Sequence, residues 1–246
     1  MSGKFILINS ILTMLIGLYT GCEKEEPEQK LQLMKIEVLT VIMDSTYRDA
    51  LWEFYYDGDK LERIKNSQNP DYNYNLYYNS EGRLTSFWEY SCAYQDNRIY
   101  RITGNSIAPI RLEYDGHGRL AKKYQEGHLD YYQLYFYDNR NNITKVEVYE
   151  RDELSTSKTA SYTHDQHKNP LNVGGIVLNI FLDLGEMDGI YRTTAFTNPN
   201  NIVSAQVPPQ IKHTYEYTYN EDDYPVTFTI KGANGETILS YVYTYY

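Results

Sequence analysis

The chain has little cysteine and no surplus of positive charge, and each shortage excludes a class of protein. Only two of its 246 residues are cysteine, so a framework of disulfides does not hold the fold together. The formal net charge is −10, whereas affinity for nucleic acid depends on neutralising phosphates with Lys and Arg. We therefore expect no nucleic-acid partner.

Motifs of enzymes and metal sites are also missing. The sequence contains no G-x-S-x-G elbow, H-E-x-x-H helix, P-loop or dinucleotide fingerprint. His164, Asp165 and His167 form a local cluster of possible metal ligands, but their spacing fits a turn equally well and a structural zinc site needs more ligands. Cys92 fits a small packing residue better than a nucleophile, since free cysteine is usually buried and inert. The sequence thus predicts no catalytic residue, no metal and no cofactor.

A Tyr-Asx dipeptide followed by a turn recurs along most of the chain. Residues 78–84 and 114–120 set the frame, in which an apolar residue closes the turn six positions after the Tyr. The copy around Asp138 keeps this spacing, and shorter or weaker copies follow around Asp57, Asp96, Asp165 and Asn220. A repeat near twenty residues predicts two short strands and two turns per unit. The longer gap before Asn220 leaves room for an insertion.

Each unit has the residue types of a β-hairpin. Before the turn, side chains two apart share one face of a strand, as Trp52, Phe54 and Tyr56 do. At the turn, Asp or Asn can bond the backbone two residues on, and Gly allows a positive φ. After the turn, apolar residues recur three apart, which indicates a bulge or apolar groups on both faces. The sequence predicts an all-β fold, an antiparallel meander of hairpins.

The insertion, at about residues 171–203, departs from this period. Apolar residues between Leu171 and Leu184 have a helix-like spacing after Gly174 and Gly175. We expect one short helix near residues 174–184 that covers an apolar face or end of the sheet. A lid over a ligand site is the alternative interpretation.

The N-terminus has the features of a targeting segment. Lys4 precedes an apolar stretch from Phe5 to Leu18 that is too short to span a bilayer comfortably. The stretch ends in a Leu-Tyr-Thr-Gly-Cys run that resembles a bacterial lipobox, although Tyr19 departs from the usual aliphatic residue. We expect residues 1–21 to be a lipoprotein signal peptide and Cys22 to carry the lipid. An uncleaved anchor helix is the alternative.

Residues 22–30 predict an unfolded acidic tether between the lipid and the folded part. The Glu-Lys-Glu-Glu run after Cys22 resembles the sorting tract of surface-exposed lipoproteins from Bacteroidetes-type bacteria, and it also suits an ordinary solvated linker. We expect residues 31–246 to form a single β domain, because no Pro/Gly/Ser-rich break divides the repeats.

The repeats and the N-terminus together resemble a known group. The Tyr-Asp copies with Gly-Arg-Leu turns look like the YD repeats of RHS-type proteins, and their combination with a lipobox resembles a family of Bacteroidetes lipoproteins built on a domain of unknown function. The resemblance covers about residues 31–246 and implies an antiparallel β-meander with no established activity. It implies lipid anchoring in the outer membrane, on the extracellular side.

Three functional hypotheses follow from the sequence. In the first, a non-enzymatic surface module binds an extracellular glycan or protein through exposed aromatic rows, with Trp52, Trp88 and Tyr90 as candidates. The same three side chains are also suited to the core. In the second, the protein is an extracellular hydrolase acting on polysaccharide, which requires a cleft with two converging carboxylates of perturbed pKa. In the third, it is a fragment of an RHS-like shell.

Overall fold

The protein was analysed as a computed structural model. The structure describes residues 31–42, 45–67, 70, 73–105, 108–172, 198–207, 211–232 and 234–246. Cys22 with the predicted signal peptide, the predicted tether, and the helix expected near residues 174–184 lie outside these ranges. Within the described ranges we find strands and turns and no α-helix, and no apolar helix there has the length to cross a membrane.

Seventeen strands follow one another along the chain. Their bounds are β1 Leu33–Ile42, β2 Ser45–Asp57, β3 Lys60–Asn66, β4 Tyr74–Tyr78, β5 Leu84–Phe87, β6 Tyr90–Gln95, β7 Arg98–Thr103, β8 Ile110–Tyr114, β9 Leu120–Gln125, β10 His128–Tyr137, β11 Ile143–Glu150, β12 Glu153–Leu154, β13 Ala160–Lys168, β14 Asn200–Val207, β15 Ile211–Tyr219, β16 Pro225–Lys231 and β17 Thr237–Tyr245.

Antiparallel pairing of neighbours closes this sheet into a barrel of 16 strands. Each strand from β1 to β11 pairs with the next, β11 pairs with β13, and the meander continues to β17. Strand β17 then pairs with β1, for instance at Val38 opposite Tyr241. The two-residue β12 pairs with β11 and forms a hairpin beside the ring. The predicted all-β antiparallel meander is therefore confirmed.

Alternation along the strands gives the barrel an apolar inside and a polar outside. In β8, Ile110 and Leu112 are buried while Arg111 is half-buried and Glu113 is exposed. The inward rings of Phe54, Phe87 and Phe228 have 0% exposure. Water in a channel would reach inward side chains, so this interior is a packed core at these positions. Burial of apolar surface there is the main source of stability.

The expected bulges accompany the turns. The register between paired strands shifts just after the turn in several hairpins, for example between Tyr77 and Tyr78 opposite Leu84 and between Glu113 and Tyr114 opposite Leu120. An extra residue at this point turns the apolar residues that lie three apart onto one face. Leu84 and Phe87 are both buried as a result.

Candidate binding surface

The Asx side chain is engaged in its own turn in four of the repeat copies. The Oδ1 atom of Asp115 accepts hydrogen bonds from the backbone N–H groups of His117 and Arg119, both at 2.9 Å. These bonds lower the pKa of Asp115, although burial alone would raise it. The same pair of bonds, two and four residues on, is made by Asn79, Asp138 and Asn220. The carboxylates of Asp115 and Asp138 are thus structural.

The repeat tyrosine links one hairpin to the next. Tyr114 Oη donates to the backbone carbonyl of Ile99 at 2.6 Å, and Ile99 closes the turn of the preceding copy. We call the set of tyrosines that make this bond the tyrosine ladder. Its members and acceptors are Tyr78 to Leu61 at 2.7 Å, Tyr94 to Leu84 at 3.0 Å, Tyr114 to Ile99 at 2.6 Å, Tyr137 to Leu120 at 2.8 Å, Tyr217 to Ile202 at 2.8 Å and Tyr245 to Pro225 at 2.6 Å.

The ladder bonds lie where backbone pairing between hairpins stops. Strands β7 and β8 are in register at Arg101 with Arg111 and at Ile102 with Ile110, toward the end of the barrel away from the Asx turns. Near the Asx turns, the hydroxyl of Tyr114 spans the gap between the same two strands. The phenol satisfies a buried carbonyl that the sheet leaves unpaired. In the copies around Asn79, Asp115 and Asp138, the Tyr of the motif therefore links one hairpin to the next.

In the copy around Asp165, asparagine side chains replace the tyrosine bond. Strands β11 and β13 are in register at Lys145 with Ser161 and at Val146 with Ala160. Beyond these pairs, Asn198 Oδ1 accepts from the backbone N–H of Ile143 at 2.7 Å. Asn142 and Asn200 exchange two further bonds of 3.0 and 3.1 Å. Asn142 and Asn198 are 0% exposed, so this bridge is part of the core.

His164 occupies the tyrosine position of this copy, and the local His/Asp cluster is divided. The His164 ring is inside the barrel, and neither ring nitrogen has a hydrogen-bond partner among the described residues. His167 stacks on Tyr219 with ring centroids 3.8 Å apart, and its Nδ1 lies 2.5 Å from Asp223. Asp165 accepts the Tyr219 hydroxyl. In the described part of the chain, no three His, Cys, Asp or Glu side chains come together as a metal site.

The three aromatic candidates from the sequence do not form one exposed row. Trp52 and Tyr90 are 7% and 4% exposed, so both belong to the core, as the alternative interpretation held. Trp88 is 40% exposed at the tip of the β5–β6 hairpin. Its ring meets Tyr74 edge-on at 5.8 Å. Burial also raises the pKa of the Cys92 thiol to about 12, which keeps that thiol protonated.

An outward row of aromatic side chains lies elsewhere, on neighbouring strands β9 to β12. Tyr124 is in register with Tyr132, Tyr132 with Tyr149, and Tyr149 with Leu154. The rings of Tyr132 and Tyr149 stack at 4.7 Å with 9° between their planes. We call Tyr124, Tyr132 and Tyr149, with Leu154 at the end, the outer aromatic row. Sequence reasoning missed it because each member is an ordinary strand residue until the register places all four at one level.

Cations cover part of the row. Lys122 Nζ lies 4.1 Å from the ring centroid of Tyr132 and 5.3 Å from that of Tyr124. With Tyr149 also stacked against it, Tyr132 has little free ring face for a sugar. A ligand at this point meets ring edges and hydroxyl groups.

A cleft opens at the end of the row away from the Asx turns. It has a volume of about 710 Å³ and is lined by Arg111, Tyr124, Glu126, Gly127, Leu129, Asp130 and Asp152. The register between β9 and β10 shifts between His128 and Tyr132, and this bulge projects Leu129 and Asp130 beyond the wall. Leu129 is 67% exposed and Leu154, on the adjacent hairpin, is 43% exposed.

The charged partners of Glu126 in this cleft do not suit a general acid for glycoside hydrolysis. Glu126 accepts from Arg101 Nε at 2.9 Å and from Arg111, and the hydrogen bonds from Arg101 and then Arg111 lower its pKa against the effect of burial. A general acid for that reaction needs a raised pKa. Glu126 therefore lacks the property that the hydrolase hypothesis requires.

The comparisons with known proteins concern the fold. No family model and no curated protein matches the chain. A porin-like protein from Bacteroides uniformis is similar over 87% of this chain and 98% of its own, with a TM-score of 0.54 and 12% identity. A porin-like protein from Bacteroides vulgatus has a TM-score of 0.44 and 12% identity over 88% and 99% of the two chains. At 12% identity, the likeness to the Bacteroides uniformis protein shows a shared fold and nothing about activity.

Proposed function

We propose that this protein is a non-enzymatic lipoprotein of the bacterial outer membrane, of the Bacteroidetes type with YD repeats. In this proposal Cys22 carries the lipid, residues 22–30 are the tether, and the barrel lies on the extracellular side. The barrel binds an extracellular ligand through its outer wall. The observation that carries the binding proposal is the outer aromatic row.

The polar outer surface of the barrel supports a location in water, outside the lipid bilayer. A barrel that spans a bilayer presents an apolar band to lipid and keeps polar groups inside. Here the outward side chains of β15 and β16 include Thr214, Glu216, Thr218, Thr227 and Thr229, opposite buried Tyr215, Phe228 and Ile230. Placing such a wall in hydrocarbon costs free energy at every polar side chain. A lipid on Cys22 holds the protein at the membrane without that cost.

A partner protein suits the outer aromatic row better than a glycan does. Sugars bind tyrosine through the ring face, and the faces of Tyr132 are covered by Lys122 and Tyr149. Protein interfaces use exposed ring edges, hydroxyl groups and flanking aliphatic side chains such as Leu154. The glycan remains the second ligand class to be tested.

Lipidation is tested by changing Cys22→Ser. We expect the variant to stay as an unprocessed precursor that incorporates no labelled fatty acid, whereas the unchanged chain is labelled. Equal labelling of both proteins rules out the lipoprotein.

Ligand binding is tested with residues 31–246, which contain every strand of the closed ring. This form is applied to arrays of extracellular proteins and of glycans, and hits are repeated with Tyr132→Ala and with Trp88→Ala. Loss at Tyr132→Ala with retention at Trp88→Ala places the ligand on the outer aromatic row. Loss only at Trp88→Ala transfers the site to the β5–β6 hairpin.

A further inference from the structure

Exposed apolar side chains are concentrated around the outer aromatic row. Leu129, Phe136 and Leu154 are 67%, 42% and 43% exposed, and they flank Tyr132 and Tyr149 on β10, β11 and β12. We call Leu129, Tyr132, Phe136, Tyr149 and Leu154, together with the cleft, the docking patch. Exposed apolar side chains grouped on a polar wall mark an interaction surface more often than singly scattered ones do.

The cations of the docking patch are already engaged within the chain. Arg101 and Arg111 share Glu126, and Lys122 lies over Tyr132. Two other lysines are also paired, Lys145 with Glu147 at 2.5 Å and Lys158 with Glu150 at 2.6 Å.

Two carboxylates of the cleft differ from these cations in their ion pairing. The side chains of Asp130 and Asp152 form no ion pair with any residue in the described ranges of the chain. Backbone atoms of the same residues are joined, since Asp152 N donates to Asp130 O at 3.1 Å. The three carboxylates of the cleft thus face two guanidinium groups, Arg111 in its lining and Arg101 on Glu126, which leaves one net negative charge.

We propose that the docking patch takes a peptide segment of a partner protein that carries a Lys or Arg beside an apolar side chain. The cation enters the cleft between Asp130 and Asp152, and the apolar side chain packs on Leu129 and Leu154. Charge complementarity selects this partner, because the unpaired charge of the patch is negative and the whole chain is formally −10. The inference rests on the proposed binding function and names the ligand class for it.

The experiment uses residues 31–246 and three short fluorescein-labelled peptides with the same Leu positions, which differ in carrying Lys, Ser or Glu between them. Fluorescence anisotropy gives Kd for each peptide. We expect the Lys/Leu peptide to bind, the other two to bind at least about tenfold more weakly, and binding to weaken as ionic strength rises.

The site is tested with the double variant Asp130→Asn/Asp152→Asn. Asp152 has a φ of 61°, and Asn tolerates this left-handed conformation as well as Asp does, so the hairpin is retained. The matched control is Glu221→Gln/Asp222→Asn, which removes two exposed carboxylates at the other end of the barrel. We expect the first variant to raise Kd for the Lys/Leu peptide about tenfold and the control to leave it unchanged.

Three results overturn the inference. They are equal binding of the Glu/Leu peptide, an unchanged Kd in Asp130→Asn/Asp152→Asn, and no binding of any peptide to the folded protein. If the peptide experiment overturns the inference but a glycan or protein on the arrays still binds, the proposed binding function holds with a different ligand. Absence of any array hit, by contrast, removes the proposed function as well.

Discussion

The hydroxyl of Tyr114 donates a 2.6 Å hydrogen bond to the backbone carbonyl of Ile99, across the seam between two hairpins. The register of β7 with β8 ends at Arg101 and Ile102, so this phenol replaces the backbone bonds missing from the seam. Burial raises the pKa of Tyr114 to about 12, and the hydroxyl keeps its proton at any physiological pH. Tyr114 is therefore a structural donor.

Tyr114→Phe tests the energy of one ladder bond. Removing the hydroxyl leaves the Ile99 carbonyl without its donor, and we expect a loss of about 1 kcal/mol in the free energy of unfolding. Urea denaturation of the 31–246 form measures it. Tyr77→Phe is the control, because Tyr77 is 55% exposed and points outward. Equal stability of the two variants contradicts a role for the hydroxyl.

Gly82→Val tests the turn of the second copy. Gly82 has a φ of 77°, a conformation in which a β-branched residue is strained by about 1–3 kcal/mol. The added side chain also meets the Lys60 ammonium at 3.2 Å, a flexible neighbour that can move. We expect a lower melting temperature. Gly116→Ala, where a Cβ meets nothing within 4 Å, should melt close to the unchanged protein, and similar losses for both refute the conformational explanation.

His164 should make the barrel sensitive to acid. Burial lowers the pKa of the imidazole to about 4, against the opposing charges of Asp138 and Asp165 and with a smaller contribution from Arg140. An unfolded histidine has a pKa of about 6.5, so the unfolded chain takes up the proton first. The stability contributed by the neutral ring is fully present above about pH 6.5 and is lost as pH falls toward 4.

His164→Tyr restores the residue of the other copies and removes this titration. Between pH 6.5 and 4 we expect the variant to lose less stability than the unchanged protein, by on the order of 2 kcal/mol. Chemical denaturation at several pH values measures the difference, with His117→Tyr on an exposed turn as the control. Parallel pH profiles for His164→Tyr and the unchanged protein would falsify the assignment.

Substitutions of Trp88 test whether the backbone is strained at the exposed tip of the β5–β6 hairpin. Its φ of 46° is unusual for a bulky residue, and its ring contacts Tyr74 and Tyr90 at 5.8 and 5.7 Å. Both Trp88→Gly and Trp88→Ala lose the ring, but only glycine adopts positive φ without a Cβ clash. We expect the glycine variant to be more stable than the alanine variant by about 1 kcal/mol. The reverse order shows that the backbone there is not strained.

The sequence by itself determined the hairpins, because their determinants are local. An Asx oxygen reaches N–H groups two and four residues on, as at Asp115. The positive φ three residues on is adopted by Gly, Asn or Asp, as at Gly82, Asn141 and Asp223. Similar bonds form near the C-terminus without an Asx at the first position, where Gly235 N donates to Gly232 O at 3.0 Å and Glu236 accepts from Asn234 N. Sequence reasoning missed these bonds because the segment lacks the dipeptide.

Only the tertiary structure decided which aromatic side chains face water. Trp52 and Tyr124 are both strand aromatics, yet Trp52 is buried and Tyr124 points outward toward Lys122 and the cleft. The face of a strand residue depends on register, and each bulge after a turn reverses the alternation. Closure between β17 and β1 depends on pairing residues at the two ends of the domain, such as Leu33 with Tyr245. Such long-range pairing depends on the whole ring, so no local pattern in the sequence records it.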